Sequence, residues 1–398
     1  MDAALQFLQD LASNLTLTLA VIVLLVVLLA IGVFVLARKA LLGSQGRPAG
    51  GARRWARGVK QDLRTRSDTE GLRRSFADAK RFLRRGLSGR NPLYRLPWHL
   101  LLGQARSGKT TLLGEAGLTL PFGEPRDPSG ARSDCNWWYF HQGIVLDLSG
   151  ELVLRRDGRT SDVEAWEAVL RQLETGRPER PVDGIVLTIP ASEVYDLEDR
   201  GSDLLTEAAH RAEILYRKLW EAQTALSMQL PVYVVVTQCD RLPGFRAFSS
   251  LLPKGTGGQM FGWSSPDSPE TAYTGAWPDR IFDELGGNVN EVMVEVLGGT
   301  KSVDPLEAEQ AFLLARSLRT AREPLRIYLN QIFSPSSYHE SFFLRGVYFA
   351  GGRFEGEAAG ERPTEVLFAH DVLADKVFPE VPVGRPVRTE VQARRRTR

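Results

Sequence analysis

The chain has 398 residues, room for two or three domains of ordinary size, with 43% hydrophobic and 25% charged residues. That balance excludes a disordered tail protein and a polytopic membrane protein. The 50 Lys and Arg against 48 Asp and Glu leave a net charge of +2, yet the excess is local: residues 38–95 hold 17 basic and 4 acidic side chains, the remainder 33 and 44.

No residue from Leu11 to Ala37 is charged, and about 15–37 is nearly all Leu, Val, Ile and Ala, the length and composition of one transmembrane helix. A cleaved leader would begin with a basic stretch; this start carries Asp2 and Asp10 and no Lys or Arg. The basic flank opens at Arg38 and Lys39, which predicts a single-pass protein with its N-terminus outside and its main domain in the cytoplasm. Gly43–Gly51 is a linker by composition. Ser67 with Glu70 fits a capping box, and Leu72, Phe76, Ala79 and Leu83 recur at helical spacing. Residues 43–90 thus read as a basic linker and amphipathic helix whose arginines meet solvent or anionic headgroups rather than nucleic acid.

Residues 91–380 read as one α/β domain with a mainly parallel sheet and helices on both faces. Strands are expected at Trp98–Leu102, Ile144–Leu146, Gly184–Ile189, Val232–Val236 and Phe343–Phe349. Helices are expected at Lys109–Ala116, near Asp162–Glu174, at Asp203–Ser227 and around Thr364–Val377. Gly244–Thr274, rich in Gly, Ser and Pro, reads as loop. Pro278–Ser334 reads mostly as helix, within a helical insertion at about 275–340. Residues 381–398 form a basic tail, expected to be disordered. Two cysteines, Cys135 and Cys239, and five histidines show no metal-binding spacing, so neither zinc nor a disulfide is expected.

Gly103-Gln-Ala-Arg-Ser-Gly-Lys109-Thr110 fits the phosphate-loop pattern G-x-x-x-x-G-K-[ST] and stands between an expected strand and an expected helix. The loop from Gly103 through Arg106, Ser107 and Gly108 to Thr111 would cradle phosphates. Lys109 would reach the β- and γ-phosphates and the Thr110 hydroxyl would sit on Mg²⁺. Asp147-Leu-Ser-Gly150 ends the next buried strand as D-x-x-G, so Asp147 would hold Mg²⁺ through water and Gly150 would sense a γ-phosphate. Thr237-Gln-Cys-Asp240 has the T-x-x-D form that reads guanine in small GTPases, with Gln238 where those proteins carry Lys. The cofactor therefore stays open between GTP and ATP. Ala350-Gly351-Gly352 falls where a GTPase loop closes over the base, or is an ordinary turn. For hydrolysis, Glu151 stands where a water-orienting Gln is common, and Arg106, Arg126 or Arg132 would supply transition-state charge. Turnover is expected to be slow at best.

These motifs and their flanks resemble the cytoplasmic domain of the IcmF/TssM family of type VI secretion inner-membrane proteins. The resemblance is carried by Asn91-Pro-Leu-Tyr-Arg-Leu-Pro-Trp98, Asp134-Cys-Asn-Trp-Trp138, Pro181-Val-Asp-Gly-Ile-Val-Leu187, Leu230–Asp240, Leu344-Arg-Gly-Val-Tyr-Phe349 and Lys376-Val-Phe-Pro-Glu380. It implies a small-GTPase-like P-loop fold in a subunit of a secretion membrane complex. The implied partners are a TssL/DotU-like membrane protein and cytoplasmic baseplate components, with self-association. It also implies two spans before this domain and a large periplasmic region after it, where this sequence shows one span and ends at Arg398. Two alternatives stay open: a scaffold with a relic P-loop, and a small-GTPase-like regulator unconnected with secretion.

Overall fold

The computed structural model describes residues 70–125, 135–153, 163–197, 200–253, 255–268, 271–298, 304–335, 340–354, 363–380 and 384–386, all within one compact unit, Arg64–Arg398. The expected span at 15–37, the linker, Ser67, Arg126, Arg132 and the tail beyond Pro386 lie outside the described residues. Among those described, no helix is long and apolar enough to cross a membrane.

Helix α1 (70–86) buries Leu72, Phe76, Ala79 and Leu83, the four positions its period singled out. After a 3-10 turn at Pro92–Tyr94 come β1 (Trp98–Gly103), α2 (Lys109–Gly114), β2 (Cys135–Tyr139), β3 (Ile144–Leu148), α3 (Gly150–Val153) and α4 (Val163–Gly176). Then follow β4 (Gly184–Pro190), α5 (Ser202–Leu226), β5 (Met228–Gln229), β6 (Pro231–Thr237), α6 (Phe245–Leu251) and β7 (Gly262–Ser264). The chain goes on through α7 (Trp277–Gly298), α8 (Pro305–Phe333), β8 (Phe343–Phe349), β9 (Gly351–Arg353), β10 (Glu365–Leu367), a π-turn at Val372–Val377 and β11 (Arg385–Pro386).

The main sheet has seven strands in the order β2-β3-β1-β4-β6-β8-β7. The five inner strands are mutually parallel, and the edge strands β2 and β7 run antiparallel. Both faces are covered, which is why the inner strands read as unbroken apolar runs rather than alternating ones. Leu100, Leu102, Ile185, Leu187, Val232 and Val234 face the larger core with α1, α4 and α5. Leu101, Val145, Val186, Tyr233 and Val235 face a smaller one closed by Leu112 and Leu113 of α2 and by Val372, Leu373, Val377 and Phe378. From β1 the chain crosses to β3 on one side, then returns to β4 on the other. The order therefore reverses at the carboxyl end of β1, the place where open α/β sheets bind ligands.

Two local expectations are corrected, a third is refined and one strand is added. Gly244–Thr274 is not all loop, because α6 and β7 lie within it; Phe245, Phe248 and Trp263 are buried there, and tertiary packing overrides the Gly-rich composition. Pro278–Ser334 is mostly helical, in the two helices α7 and α8, and α8 starts where Asp304 caps it by accepting from Leu306 N at 3.0 Å, with Pro305 in the first turn. The helix around Thr364–Val377 is a short strand followed by a π-turn. Finally, Cys135–Tyr139 is an edge strand that the sequence pattern left unassigned.

The amino end of the sheet is held by a buried ion cluster. Asp183 accepts from the Trp98 amide at 2.7 Å, pairs with Arg177 at 3.3 Å and meets Arg180 at 2.8 Å. The Arg177 guanidinium lies over the rings of Tyr94 and Trp98, at 5.0 and 4.6 Å from their centroids. Burial pushes the Arg177 pKa down to about 10, against the pull of Asp183. Removing one partner of such a buried pair strands the other charge. Asp183→Ala is therefore expected to cost about 3–5 kcal/mol in urea unfolding, and Asp78→Ala, at an exposed pair on α1, within about 1 kcal/mol.

Candidate functional site

The loop Gly103–Gly108 turns at the carboxyl end of β1 and delivers the chain to α2. A Cβ at Gly103 would run into the Thr188 side chain and lie 2.8 Å from the Thr188 carbonyl, so only glycine fits. Hydroxyls from the neighbouring strands then take up the loop's polar groups. The Ser107 hydroxyl meets Thr188 Oγ1 at 2.9 Å, Thr188 Oγ1 donates to Leu102 O at 3.1 Å, and Thr237 Oγ1 donates to Ser107 O at 2.5 Å. Ser107, expected at the ligand, points its side chain into the sheet and is fully buried. Arg106 is exposed and holds a left-handed backbone, φ 64°, a conformation that costs a non-glycine residue of order 1 kcal/mol and concentrates at functional sites.

Lys109 folds back under this loop, its Nζ donating to Gly103 O at 3.0 Å and Gln104 O at 2.8 Å. Burial pushes its pKa down to about 8, with Asp147 acting in the opposite direction. Thr110 Oγ1 donates to Asp147 Oδ2 at 2.8 Å, which brings together the two side chains assigned to a metal. Burial raises the Asp147 pKa, opposed by that hydrogen bond and by Lys109. Thr111 follows, half-buried on α2. Gly150 packs against the loop so closely that a Cβ there would collide with the Ala105 amide. Glu151 lies exposed in the first turn of α3.

The T-x-x-D segment comes to the same edge. Gln238, also left-handed at φ 59°, donates from Nε2 to Arg106 O at 2.9 Å. Asp240 Oδ1 accepts from Gly352 N at 2.8 Å, and Cys239 N donates to Ala350 O at 3.0 Å. Thus Gly352, which the sequence left between a base loop and an ordinary turn, holds the Asp240 carboxylate. The Cys239 thiol is fully buried, and burial raises its pKa.

Sequence reasoning missed a second polar group at the loop. Gln104 Nε2 donates to Glu193 Oε1 at 3.1 Å; Glu193 is buried, pairs with Arg211 of α5, and accepts from Tyr328 of α8 at 3.5 Å. The signal was present in Gly184–Pro190, where Thr188 is the one polar side chain in a wholly buried strand and Glu193 follows three residues after its end.

Strand order and loop geometry together define an α/β protein with a mainly parallel sheet and a phosphate-loop sequence at its switch point. The model of the IcmF-related N-terminal domain matches residues 159–398, and the chain belongs to that family. It is 30% identical over 298 residues to type VI secretion system component TssM1 of Pseudomonas aeruginosa, covering 72% of this chain and 26% of that protein. The chain thus spans about a quarter of the length of that relative. Among solved structures, it is similar to the cytosolic domain of the T. maritima FeoB iron transporter in a GDP form (13% identity, 60% of this chain and 99% of that one, TM-score 0.24). It is also similar to an ADP-ribosylation-factor-like GTP-binding protein of Encephalitozoon cuniculi with GDP (14% identity, 71% and 96%, TM-score 0.23). Neither score is high enough to bear on the fold, which rests on the strand order.

Two glycines test the packing of the loop. Gly150→Ala is expected to lose about 1–3 kcal/mol in denaturant unfolding through overpacking at Ala105. Gly287→Ala, on an exposed face of α7 with no atom near its Cβ, is expected to gain about 0.5–1 kcal/mol.

Proposed function

We propose that this chain is a membrane-anchored nucleotide-binding subunit of a type VI-like secretion membrane complex. It binds GTP or ATP with Mg²⁺ through the domain at 91–380 and acts in assembly or as a conformational switch, with slow hydrolysis at most. The observation that carries this is the 2.8 Å hydrogen bond from Thr110 to Asp147 beneath a loop that Lys109 closes. Among the described residues there is no group of three or more His, Cys, Asp and Glu side chains able to hold a metal. One hydroxyl and one carboxylate are the sparse protein donor set with which Mg²⁺ keeps its waters and takes the rest from phosphate. Lys109 supplies charge to the β- and γ-phosphates, the loop from Gly103 through Arg106, Ser107 and Gly108 to Thr111 supplies backbone N–H groups, and Gly150 stands beside the γ-position. Asp240 is assigned to the base, and Thr237 braces the loop beside it through its bond to Ser107 O. Glu151 and Arg106 are the candidates for orienting water and spreading charge during hydrolysis.

Anchoring rests on the uncharged run at 15–37 with its basic flank, which would place the N-terminus in the periplasm and this domain at the cytoplasmic face of the inner membrane. Partners follow from the family: a TssL/DotU-like membrane protein, baseplate components and further copies of this chain. One observation favours the scaffold instead. Lys109 and the strand hydroxyls satisfy the loop by themselves, so the fold has a structural use for the motif without any ligand.

Calorimetry on the purified full chain separates the two. Mg²⁺-dependent binding of a nucleoside triphosphate is expected, weakened by Lys109→Ala about ten- to hundredfold, the worth of a hydrogen bond to a charged group. No binding of any nucleotide favours the scaffold. The pH dependence follows from Lys109. Its pKa is about 8 without phosphate, and a bound phosphate raises it. Above pH 8 binding must therefore take up a proton, and affinity falls as pH rises, at most about tenfold per unit. Equal heats in buffers of different ionisation enthalpy at pH 9 would contradict this.

A further inference from the structure

We infer that the outward face of α1, with the Phe82–Phe122 pair at its flank, is a docking surface for an anionic lipid bilayer; this rests on the membrane-anchored reading above. Helix α1 turns Leu72, Phe76, Ala79 and Leu83 into the core. At 3.6 residues per turn, Arg73, Arg74, Arg81, Arg84 and Arg85 then fall within about 120° on the opposite side, and all five are exposed. Two of them are paired along the helix, Arg74 with Glu70 at 3.4 Å and Arg81 with Asp78 at 2.8 Å. The face is nevertheless left with a clear excess of positive charge.

Beside this face stand two aromatic side chains that the core does not use. Phe82 is 38% and Phe122 63% exposed. Their ring centroids are 4.7 Å apart, edge to face, and Phe82 lies 4.9 Å from Tyr139 on the edge strand β2. The Phe122 ring is therefore held in place by other rings while most of it meets water. Arginines beside exposed aromatic rings make the combination that suits a headgroup layer, with cations at the phosphates and rings at the level of the glycerol backbone. Phosphate on a nucleic acid would satisfy the arginines equally. The aromatics, however, lie together at one flank rather than between the cations, where bases would stack, and the sequence itself carries an uncharged run at Leu11–Ala37. The favoured source of the anionic groups is thus lipid.

The test uses the full chain with Phe122→Cys carrying an environment-sensitive fluorophore; the native Cys135 and Cys239 are buried. The chain is reconstituted in nanodiscs of phosphatidylcholine with and without phosphatidylglycerol. A blue shift confined to phosphatidylglycerol discs and reversed by high salt is expected. It should be lost in the variant Arg81→Glu, Arg84→Glu, Arg85→Glu while the melting temperature stays unchanged. Each arginine removed should weaken the lipid-dependent response about fivefold. No dependence on lipid charge, or the same shift in the charge-reversed variant, overturns the docking surface. An equal shift on adding single-stranded DNA to phosphatidylcholine discs overturns it in favour of nucleic acid. A chain that enters neither disc breaks the anchoring reading instead. Docking is then decided by co-sedimentation of that chain with phosphatidylglycerol vesicles, where pelleting supports the surface and its absence overturns it.

Discussion

One turn of chain, Gly103–Gly108, must satisfy its backbone polar groups at the edge of a sheet that is buried on both faces. Buried N–H and C=O groups without partners are costly, and water has little access beneath this loop. The partners come from four directions. Thr188 of β4 bonds the Leu102 carbonyl, Thr237 of β6 the Ser107 carbonyl, Lys109 the carbonyls of Gly103 and Gln104, and Gln238 the carbonyl of Arg106. The close approach that makes these bonds possible forces glycine at 103 and 150, and it holds Arg106 and Gln238 in left-handed backbone. The loop is shaped by its neighbours as much as by its own sequence.

That dependence decides what could be read in advance. The five inner strands, α2 and α5 were legible because burial on both sheet faces leaves continuous apolar runs and because helical period survives in a long helix. The loop, Asp147 and Asp240 were legible because their chemistry demands fixed spacing. The motif assigns Ser107 by its backbone and says nothing of its side chain, whose hydroxyl meets Thr188, a contact across 81 residues of sequence. Edge strands β2 and β7 were hidden for another reason. Trp137 and Trp138 are both buried although they point to opposite faces, so no alternation appears, and β7 has only three residues. Glu193 was missed because its partners Gln104, Arg211 and Tyr328 are all distant in sequence, so that only its place just after a buried strand marked it.

The stretches that resemble the family fall mostly at the other end of the sheet. The Tyr94 and Trp98 rings flank Arg177, Asp183 accepts the Trp98 amide, and Glu380 is gripped by Arg345 at 2.7 Å, Lys376 at 2.8 Å and Tyr233 at 2.7 Å. These are clasps. They tie the segment before β1, the end of α4 and the C-terminal π-turn to the starts of β4, β6 and β8. The family model likewise matches from residue 159, beyond the phosphate loop and the D-x-x-G. The two ends are not wholly separate, because the stretch Leu230–Asp240 runs the length of β6 and brings Thr237 and Asp240 to the candidate site.

On the proposed reading, the electrostatics of the carboxyl edge also explain why nucleotide and metal would bind as a unit. Lys109 and Asp147 are both desolvated: burial lowers the pKa of the first and raises that of the second, so each charge is held in an environment that disfavours it. Their mutual attraction offsets part of this, as does the Thr110 hydroxyl on Asp147. A phosphate alone would restore the Lys109 charge but set a further anion near Asp147. A divalent cation alone would settle Asp147 but crowd Lys109. Only the two together answer both charges, because the site's own charges come as a pair of opposite sign. The left-handed backbone at Arg106 and Gln238 belongs to the same edge, where the Gln238 side chain bonds the Arg106 carbonyl and fixes the loop beside the T-x-x-D segment.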